Sequence, residues 1–241
     1  MQERLDKLIS AQSGLSRKDA VRAIRDSRVT VNGASCRESD RKVDPDSDRI
    51  TLDGAVLRCR RTVYYMMYKP KGVVSATEDK AERTVLDLLP PELGHRGLFP
   101  AGRLDKDTTG LLILTDDGDY AHRMLAPKKH VDKTYIAALD REPDQAALQA
   151  FSQGIVLGDG TVCKSGRATA LGDRRAEVVI SEGKYHQVKR MFAAVGFHVE
   201  ELERVRIGGL ELDRSLSPGE VREMTLEEAQ KVFEIPAEER P

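Results

Sequence analysis

Hydrophobic and polar positions at the start of the chain follow the period of an α-helix. Leu5, Leu8 and Ile9 are spaced i, i+3, i+4, which predicts a short amphipathic helix over residues 4–11. Gly14 breaks this pattern and is expected to separate the first helix from the one that follows.

A second helix is predicted over about residues 17–27. Ser16 is a good N-cap, and Asp19 three residues later is a shorter variant of the capping-box acid. The apolar side chains expected to face inward are Ala20, Val21 and Ile24. The opposite face carries basic side chains at i, i+4 and i+7, namely Lys18, Arg22 and Arg25. On charge alone, this row is either a solvated helix face or a binding surface.

The helical period gives way to alternation after residue 28. The segments "VTVNG" at 29–33 and "DRITLDG" at 48–54 alternate as strands do. They end in Asn-Gly and Asp-Gly, dipeptides that favour tight hairpin turns. The first 60 residues therefore predict two helices followed by a small sheet.

The rest of the chain mixes helical and strand-like runs without a regular βαβ rhythm. Strands are predicted in the apolar or alternating runs at 63–69, 110–115, 133–139, 175–180 and 204–212. Helices are predicted at 83–90, 143–155, 186–196 and about 225–234. This pattern predicts an α+β fold with a mixed, mostly antiparallel sheet in the larger part.

Charge divides the chain into two parts. Residues 1–61 carry 14 Lys and Arg against 10 Asp and Glu, a charge of +4, whereas the remainder carries −5. The basic stretch "LRCRRT" at 57–62 is the expected linker. We therefore predict a basic domain over 1–60, a larger domain over 61–235 and a tail over 236–241. The basic domain is where a polyanion would first dock.

Several classes of protein are disfavoured by composition. No apolar run approaches the ~20 residues that span a bilayer, and the N-terminus lacks the apolar core of a secretory signal. Cys36, Cys59 and Cys163 are far apart, which is typical of reduced thiols in a cytoplasmic protein and not of a disulfide framework or a zinc site.

The stretch "AGRLDKDTTGLLILTDDGDY" at 101–120 contains five aspartates. Asp116, Asp117 and Asp119 could contribute to a Mg²⁺ site. However, "TDDGD" also favours a tight turn that closes the buried strand "GLLILT". No His or further carboxylate cluster in the sequence offers to complete a metal shell, so the turn is our prediction.

Asp105 and Asp107 precede the same strand, where a scaffold can hold a loop residue rigidly. A single Asp in such a loop is usually a cap or turn residue. Spacing alone does not decide whether either of them is a reactive carboxylate, or which one.

The order of several motifs resembles a known family. The segments "RLDKLIS" and "GLSRKDAVRAIRDSRVTVNG" are similar to the S4 domain, a small RNA-binding module. "YKPKGVVS", "GRLDKDTTGLLILTDDG", "KTY" and "EGKYHQVKRMFAAVGFHVEELERVRIGGLEL" resemble successive motifs of the pseudouridine synthases of the ribosomal small-subunit type. The likeness covers about residues 4–233. It implies an S4-type domain followed by a catalytic domain with a mixed, mostly antiparallel sheet.

The resemblance implies an isomerase that converts uridine in RNA to pseudouridine without a cofactor. It assigns the reacting carboxylate to Asp105, acting as a nucleophile or as a base on the C2′ proton, and the adjacent cation to Lys189. Arg103 would fill the gap left by a flipped nucleotide, and Tyr135 would stack on the detached base and move the C5 proton. Without the resemblance, Tyr135 reads as a core aromatic, Lys189 as a surface lysine and Arg103 as an ion-pair partner.

Other polar residues are expected to act outside the catalytic set. His186 at a predicted helix start is interpreted as a capping or packing residue and is left out of the catalytic set. Lys69 and Lys71 would shape the edge of the site or touch RNA. In the S4-like domain, the resemblance implies these phosphate contacts: Arg17, Lys18, Arg22, Arg25 and Arg28.

Within the family, the segment 180–213 is most similar to members that act on 16S ribosomal RNA, with uridine 516 as the expected target. A member that modifies 23S ribosomal RNA, a non-catalytic RNA-binding assembly factor and a metal-dependent phosphoryl-transfer enzyme remain the alternatives. We expect ribosomal RNA as the partner, either free or within a small-subunit assembly intermediate. We expect no membrane association and a monomer.

Overall fold

The structure, a computed structural model, describes residues 3–45, 47–57, 62–126 and 131–234. The chain divides into two compact units. The first comprises Met1–Val63 and Pro90–Leu98, and the second comprises Tyr64–Leu89 and Phe99–Pro241. Most of the expected linker, including Cys59, and the expected tail lie outside the described residues.

The first unit contains both predicted helices and both predicted hairpins. Its elements are β1 (Glu3–Arg4), α1 (Leu5–Ser13), α2 (Arg17–Arg25), β2 (Val29–Val31), β3 (Ala34–Ser35), β4 (Lys42–Val43), β5 (Ile50–Leu52), β6 (Ala55–Val56) and a 3₁₀ helix (Pro91–Arg96). β1 pairs with β4, and a four-stranded sheet has the order β3-β2-β5-β6. Asn32 and Gly33 turn the chain with φ of 54° and 83°, as the Asn-Gly signal predicts.

The core of this unit lies between the two helices and the four-stranded sheet. Its buried side chains include Leu5, Leu8, Ile9, Ala20, Ile24, Val29, Val31 and Ile50. The Ser16 side chain caps α2 by accepting a hydrogen bond from the Asp19 backbone N–H, as predicted. Val21, predicted to face inward, is only partly buried. Ala23 is buried instead, because the apolar stripe of α2 follows positions 20, 23 and 24.

The second unit is built on one large sheet. Its elements are β7 (Tyr64–Lys69), a 3₁₀ helix (Leu86–Leu88), β8 (Phe99–Ala101), β9 (Thr109–Thr115), α3 (Gly118–Leu125), β10 (Lys133–Leu139), α4 (Gln145–Gln153), β11 (Arg167–Gly172), β12 (Arg175–Ile180), α5 (Gln187–Ala194), β13 (Val199–Ile207), β14 (Leu210–Glu211), β15 (Val221–Glu223) and α6 (Leu226–Lys231).

The sheet has the order β11-β12-β10-β13-β9-β7-β15, with β14 beside β13 and β8 beside β9. Its pairs are antiparallel except for β9 with β13, which run parallel. This arrangement confirms the predicted α+β class and the mostly antiparallel sheet. Apolar side chains of α3 and α6 pack against β7 and β9 through Met66, Leu111, Tyr120, Met124 and Ala229.

The prediction of a tight turn at "TDDGD" was wrong. β9 does end at Thr115, but the aspartates that follow begin helix α3. The Asp117 carboxylate is its N-cap and accepts hydrogen bonds from the Tyr120 backbone N–H at 2.9 Å and from the Tyr64 hydroxyl at 2.6 Å. Buried Tyr120, Ala121 and Met124 give the helix an apolar face, which explains why the chain continues helically after the cap.

Two further differences concern short or exposed elements. The helix predicted over 83–90 is reduced to one 3₁₀ turn, Leu86–Leu88, and is followed by a 3₁₀ helix that the pattern did not predict. Strand β11 was also missed, because most of its side chains are exposed and no apolar alternation marks it.

Over the described residues, no helix is long and apolar enough to cross a bilayer. Cys36 and Cys163 are buried free thiols.

Candidate active site

A cavity of about 410 Å³ opens in the second unit. It lies between the loop that precedes β9, strand β10 and the segment that leads into α5. The residues with candidate chemistry that line it are Arg103, Asp105, Tyr135, Lys184 and His186. Its volume falls in the range of small-ligand pockets, so it is large enough to receive part of a nucleotide.

The loop that carries Asp105 is positioned by a close approach between β9 and β13. Gly110 pairs with Arg204 across the parallel strands and has a φ of 107°. A Cβ atom at this position would overlap the carbonyl oxygen of Arg204. Only glycine therefore permits β9 and β13 to approach each other this closely. This approach fixes the position at which β9 begins, next to the cavity.

A buried lysine anchors the same loop from below. The Lys69 ammonium at the end of β7 donates to the carbonyl oxygens of Asp105 and Thr108, each at 3.0 Å. Burial lowers the pKa of Lys69 to about 8, while the negative charges of Asp105 and Asp107 oppose the decrease. Lys69 is thus part of the support of the loop and is fully buried.

The structure brings Lys189 next to Asp105. The Lys189 Nζ lies 3.8 Å from Asp105 Oδ2, and His186 Nε2 lies 3.6 Å from Asp105 Oδ1. The Asp105 side chain is 28% exposed, so it is reachable from the cavity. The two residues are 84 positions apart in the sequence, and α5 supplies the lysine from its first turn.

Asp107, to which no sequence motif assigned a role, contacts the same lysine. The Lys189 ammonium donates a hydrogen bond to Asp107 Oδ1. Burial raises the pKa of Asp107. The hydrogen bond and the positive charge of Lys189 outweigh this effect, so the pKa of Asp107 lies below its ordinary value. Two carboxylates and one ammonium therefore form a cluster at the cavity, with Asp107 as the more exposed acid.

Tyr135 and Arg103 also line the cavity. Tyr135 is a buried residue of β10, flanked by β12 and β13, so its backbone is held on both sides by the sheet. Arg103 is exposed, and over the described residues it forms no ion pair with a carboxylate. The interpretation of Arg103 as an ordinary ion-pair partner therefore finds no support in this part of the chain.

His186 occupies the position before α5 but does not cap the helix through its side chain. Its backbone adopts a left-handed conformation, with a φ of 47°. Its ring stacks on Tyr185, with centroids 3.9 Å apart and planes 18° from parallel, and Tyr185 is 73% exposed. Sequence reasoning set His186 aside, and only its place in the motif "YHQVK" could have indicated that it lies at the cavity.

The metal hypothesis for the second half of the acidic stretch finds no cluster to support it. Among the described residues, no group of three or more His, Cys, Asp or Glu side chains is arranged to hold a metal ion. Asp117 is engaged in capping α3.

A second candidate surface lies on the first unit. The basic side chains of α2 line an open hollow of about 760 Å³, and Arg4 and the carboxylates of Asp6, Asp19 and Asp26 line it too. Arg17, Lys18, Arg22 and Arg25 are all exposed there. Arg28 lies outside this hollow and pairs with Asp53 at 2.6 Å.

Comparisons with known proteins agree with these two regions. A family model for RNA pseudouridylate synthase matches residues 63–194, and a model for the S4 domain matches residues 3–50. An uncharacterized RNA pseudouridine synthase of Bacillus subtilis is 43% identical over 229 residues, which cover 93% of this chain and 96% of the relative. The ribosomal small subunit pseudouridine synthase A of Escherichia coli is 43% identical over 231 residues, which cover 95% of this chain and 99% of that relative. A crystal structure of a pseudouridylate synthase is 39% identical, with a TM-score of 0.67 over 95% of this chain and 99% of that one.

Proposed function

Since the chain belongs to the RNA pseudouridylate synthase family, whose members are isomerases, we propose that it converts a uridine of 16S ribosomal RNA, uridine 516, to pseudouridine. The RNA substrate follows from the family and from the S4 domain. The relatives named for the small ribosomal subunit support the choice of 16S RNA. We further propose that the protein acts as a monomer in the cytoplasm.

The proposed reaction breaks the C1′–N1 bond, turns the uracil and joins C5 to C1′. The proton lost from C5 is balanced by one gained at N1, so no redox partner is consumed. The observation that carries the proposal is the Asp105 carboxylate, which lines the cavity within 4 Å of Lys189. A carboxylate acts as a nucleophile or as a base in its ionised form, and Lys189 places a positive charge beside it.

Other residues of the cavity would serve the flipped nucleotide. Tyr135 offers an aromatic face to a base that must rotate, because stacking imposes little directional constraint. Its hydroxyl could carry the proton that leaves C5. The planar guanidinium of Arg103 could stack in the gap left in the RNA and bind phosphate. The basic hollow of the first unit would hold structured RNA through phosphate contacts.

The first test replaces the reacting acid. Asp105→Asn is expected to reduce pseudouridine formation by at least about 10³-fold, because an amide can neither attack C1′ nor remove a proton at neutral pH. RNA binding should remain, since the phosphate contacts are elsewhere. The measurement is tritium release or mass spectrometry on a 16S transcript, with binding by filter retention. Full activity of this variant would contradict the proposed mechanism.

A matched control separates this proposal from metal-dependent chemistry. Asp119→Asn removes an exposed carboxylate of the same acidic stretch and should leave activity within about twofold. EDTA should also leave it unchanged. Strong inhibition by EDTA together with loss of activity in Asp119→Asn would favour the metal-dependent alternative.

The RNA target is tested in cells that lack the gene. Pseudouridines are mapped in both ribosomal RNAs, and loss at uridine 516 of 16S RNA is expected. Loss of a 23S site alone would replace the proposed target. No loss in either RNA, combined with a defect in ribosome assembly, would favour a non-catalytic assembly factor.

A further inference from the structure

We propose that Asp107 is a positioning residue that holds the Lys189 ammonium away from direct hydrogen bonding to Asp105. The inference rests on the proposed function, because it takes Asp105 as the reacting acid. It deepens that function by assigning a role to the second aspartate of "GRLDKD", two positions further along the loop.

The geometry gives Lys189 two acidic neighbours and one hydrogen bond. Its ammonium bonds directly to Asp107 Oδ1, whereas its distance to Asp105 Oδ2 is 3.8 Å, beyond the range of a hydrogen bond. The Lys189 side chain is 20% exposed and that of Asp107 is 71% exposed. Asp107, the more exposed acid, therefore accepts the direct hydrogen bond from Lys189. Asp105, the less exposed acid at the cavity, interacts with Lys189 through its positive charge alone.

This division matters because the two effects of a cation on a carboxylate are different. A positive charge nearby keeps the acid ionised. A direct charge-assisted hydrogen bond also occupies an oxygen lone pair and stabilises the anion strongly, which reduces its ability to attack carbon or accept a proton. With Lys189 hydrogen-bonded to Asp107, Asp105 keeps a positive charge nearby while its Oδ2 stays available to the substrate.

The other charged groups around the cluster do not replace this contact. Lys69 of β7 donates to the backbone carbonyl of Asp105 and leaves its carboxylate free. Lys106, between the two acids, pairs with Glu82 at 2.6 Å. Arg204 of β13 donates to the carbonyl of Leu111. His186 lies 3.6 Å from Asp105 Oδ1, on the oxygen opposite the one that faces Lys189.

Asp107→Asn tests the proposal. Without its anionic anchor, Lys189 is free to bond to Asp105. We expect kcat to fall about 10- to 100-fold, the range that a small misplacement of a reacting group can cause, with KM changed less than about threefold. The profile of kcat/KM against pH rises on its acidic side, and we call this rise the acid limb. The acid limb should move to lower pH, because the negative charge of Asp107 is lost and the Lys189 ammonium then faces Asp105.

Two variants serve as controls. Asp107→Glu keeps the charge and should retain the wild-type acid limb, with kcat between the wild type and Asp107→Asn. Glu200→Gln removes another exposed carboxylate paired with a cation, which lies 3.8 Å from Arg174 outside the cavity, and should leave kcat and the acid limb unchanged. Thermal melting of all variants verifies that the fold is kept.

The outcomes distinguish this inference from the proposed function. If Asp107→Asn has the kcat and the acid limb of the wild type, Asp107 forms an ordinary surface ion pair and the inference is wrong. A rise in KM alone would overturn it too and would assign Asp107 to RNA binding. Full activity of Asp105→Asn would instead contradict the proposed function, whatever Asp107→Asn does.

Discussion

At the residue scale, the second unit places cations where water cannot reach them. Lys69, Lys133 and Arg204 are buried, and the positive charge of Arg204 acts on both lysines. Burial, together with Arg204, lowers the pKa of Lys133 to about 8. Its ammonium donates to the carbonyl oxygen of Val131 at 2.7 Å. Buried charge is unfavourable for stability, so these residues are retained at a cost to the fold.

This cost predicts a dependence of stability on pH. Below about pH 8, Lys133 is charged in both states, and the folded protein bears the full penalty. Between about pH 8 and the ordinary lysine pKa of 10.5, the unfolded chain binds more protons, so stability rises with pH. Relative to Lys133→Met, the wild type should gain up to about 3 kcal/mol over this interval. Urea unfolding of both proteins measures it, and a constant difference would contradict it.

The chemistry of single residues was only partly predictable from the sequence. The position of Asp105 before a buried strand indicated a rigidly held loop, and the motif likeness selected it over Asp107. The contact between Asp107 and Lys189 joins positions 82 residues apart, so no local pattern could reveal it. The same limit applies to His186, whose neighbour Asp105 is supplied by a distant loop.

At the element scale, periodicity predicted strands and helices well wherever one face is buried. Strand β10 was predicted with its exact bounds, because its apolar run stands in the middle of the sheet. Helix α3 was missed since its N-cap, Asp117, was read as a turn residue, and aspartate favours both. The apolar spacing of Tyr120, Ala121 and Met124 was the signal that could have separated the two interpretations.

The parallel contact between β9 and β13 predicts a sensitive glycine. In Gly110→Ala, the new Cβ would overlap the backbone of Arg204 and the residue would keep an unfavourable positive φ. We expect a loss of at least about 3 kcal/mol in the free energy of unfolding, together with reduced activity as the Asp105 loop shifts.

Gly158→Ala is the matched control, because nothing lies within 4 Å of its Cβ position and its φ is not positive. Chemical denaturation compares the two variants with the wild type. Equal stability of Gly110→Ala and Gly158→Ala would show that the strands can separate without consequence.

At the scale of the whole molecule, a net charge of −1 conceals a separation of charge along the chain. The basic residues in and just after α2 are not equivalent in the first unit. Arg28 is bound to Asp53 through two hydrogen bonds, at 2.8 and 2.6 Å. Lys18 and Arg25 form no ion pair with another described residue. The unpaired side chains can bind phosphate without first breaking an internal contact.

This difference predicts the salt dependence of RNA binding. Lys18→Gln and Arg25→Gln should each reduce the slope of log K against log salt concentration by about 0.7 to 0.9, the value for one lost phosphate contact. Arg28→Gln should change it less, because its guanidinium is already neutralised by Asp53. Binding titrations of a 16S transcript between 50 and about 300 mM KCl measure the slopes. Equal slopes for all three variants and the wild type would place the RNA on another surface.

The division of the chain into units has a consequence for how such a protein can be rearranged. The chain passes between the units three times, after Val63, after Leu89 and after Leu98. Neither unit is a contiguous piece, so no single cut of the gene yields two complete halves. A polypeptide starting at Tyr64 would still carry the 3₁₀ helix of residues 91–96, without α1, where the Arg96 guanidinium meets the Gln12 side chain at 3.3 Å. Recombination that exchanged the first unit between related proteins would have to transfer two separate segments of the gene together.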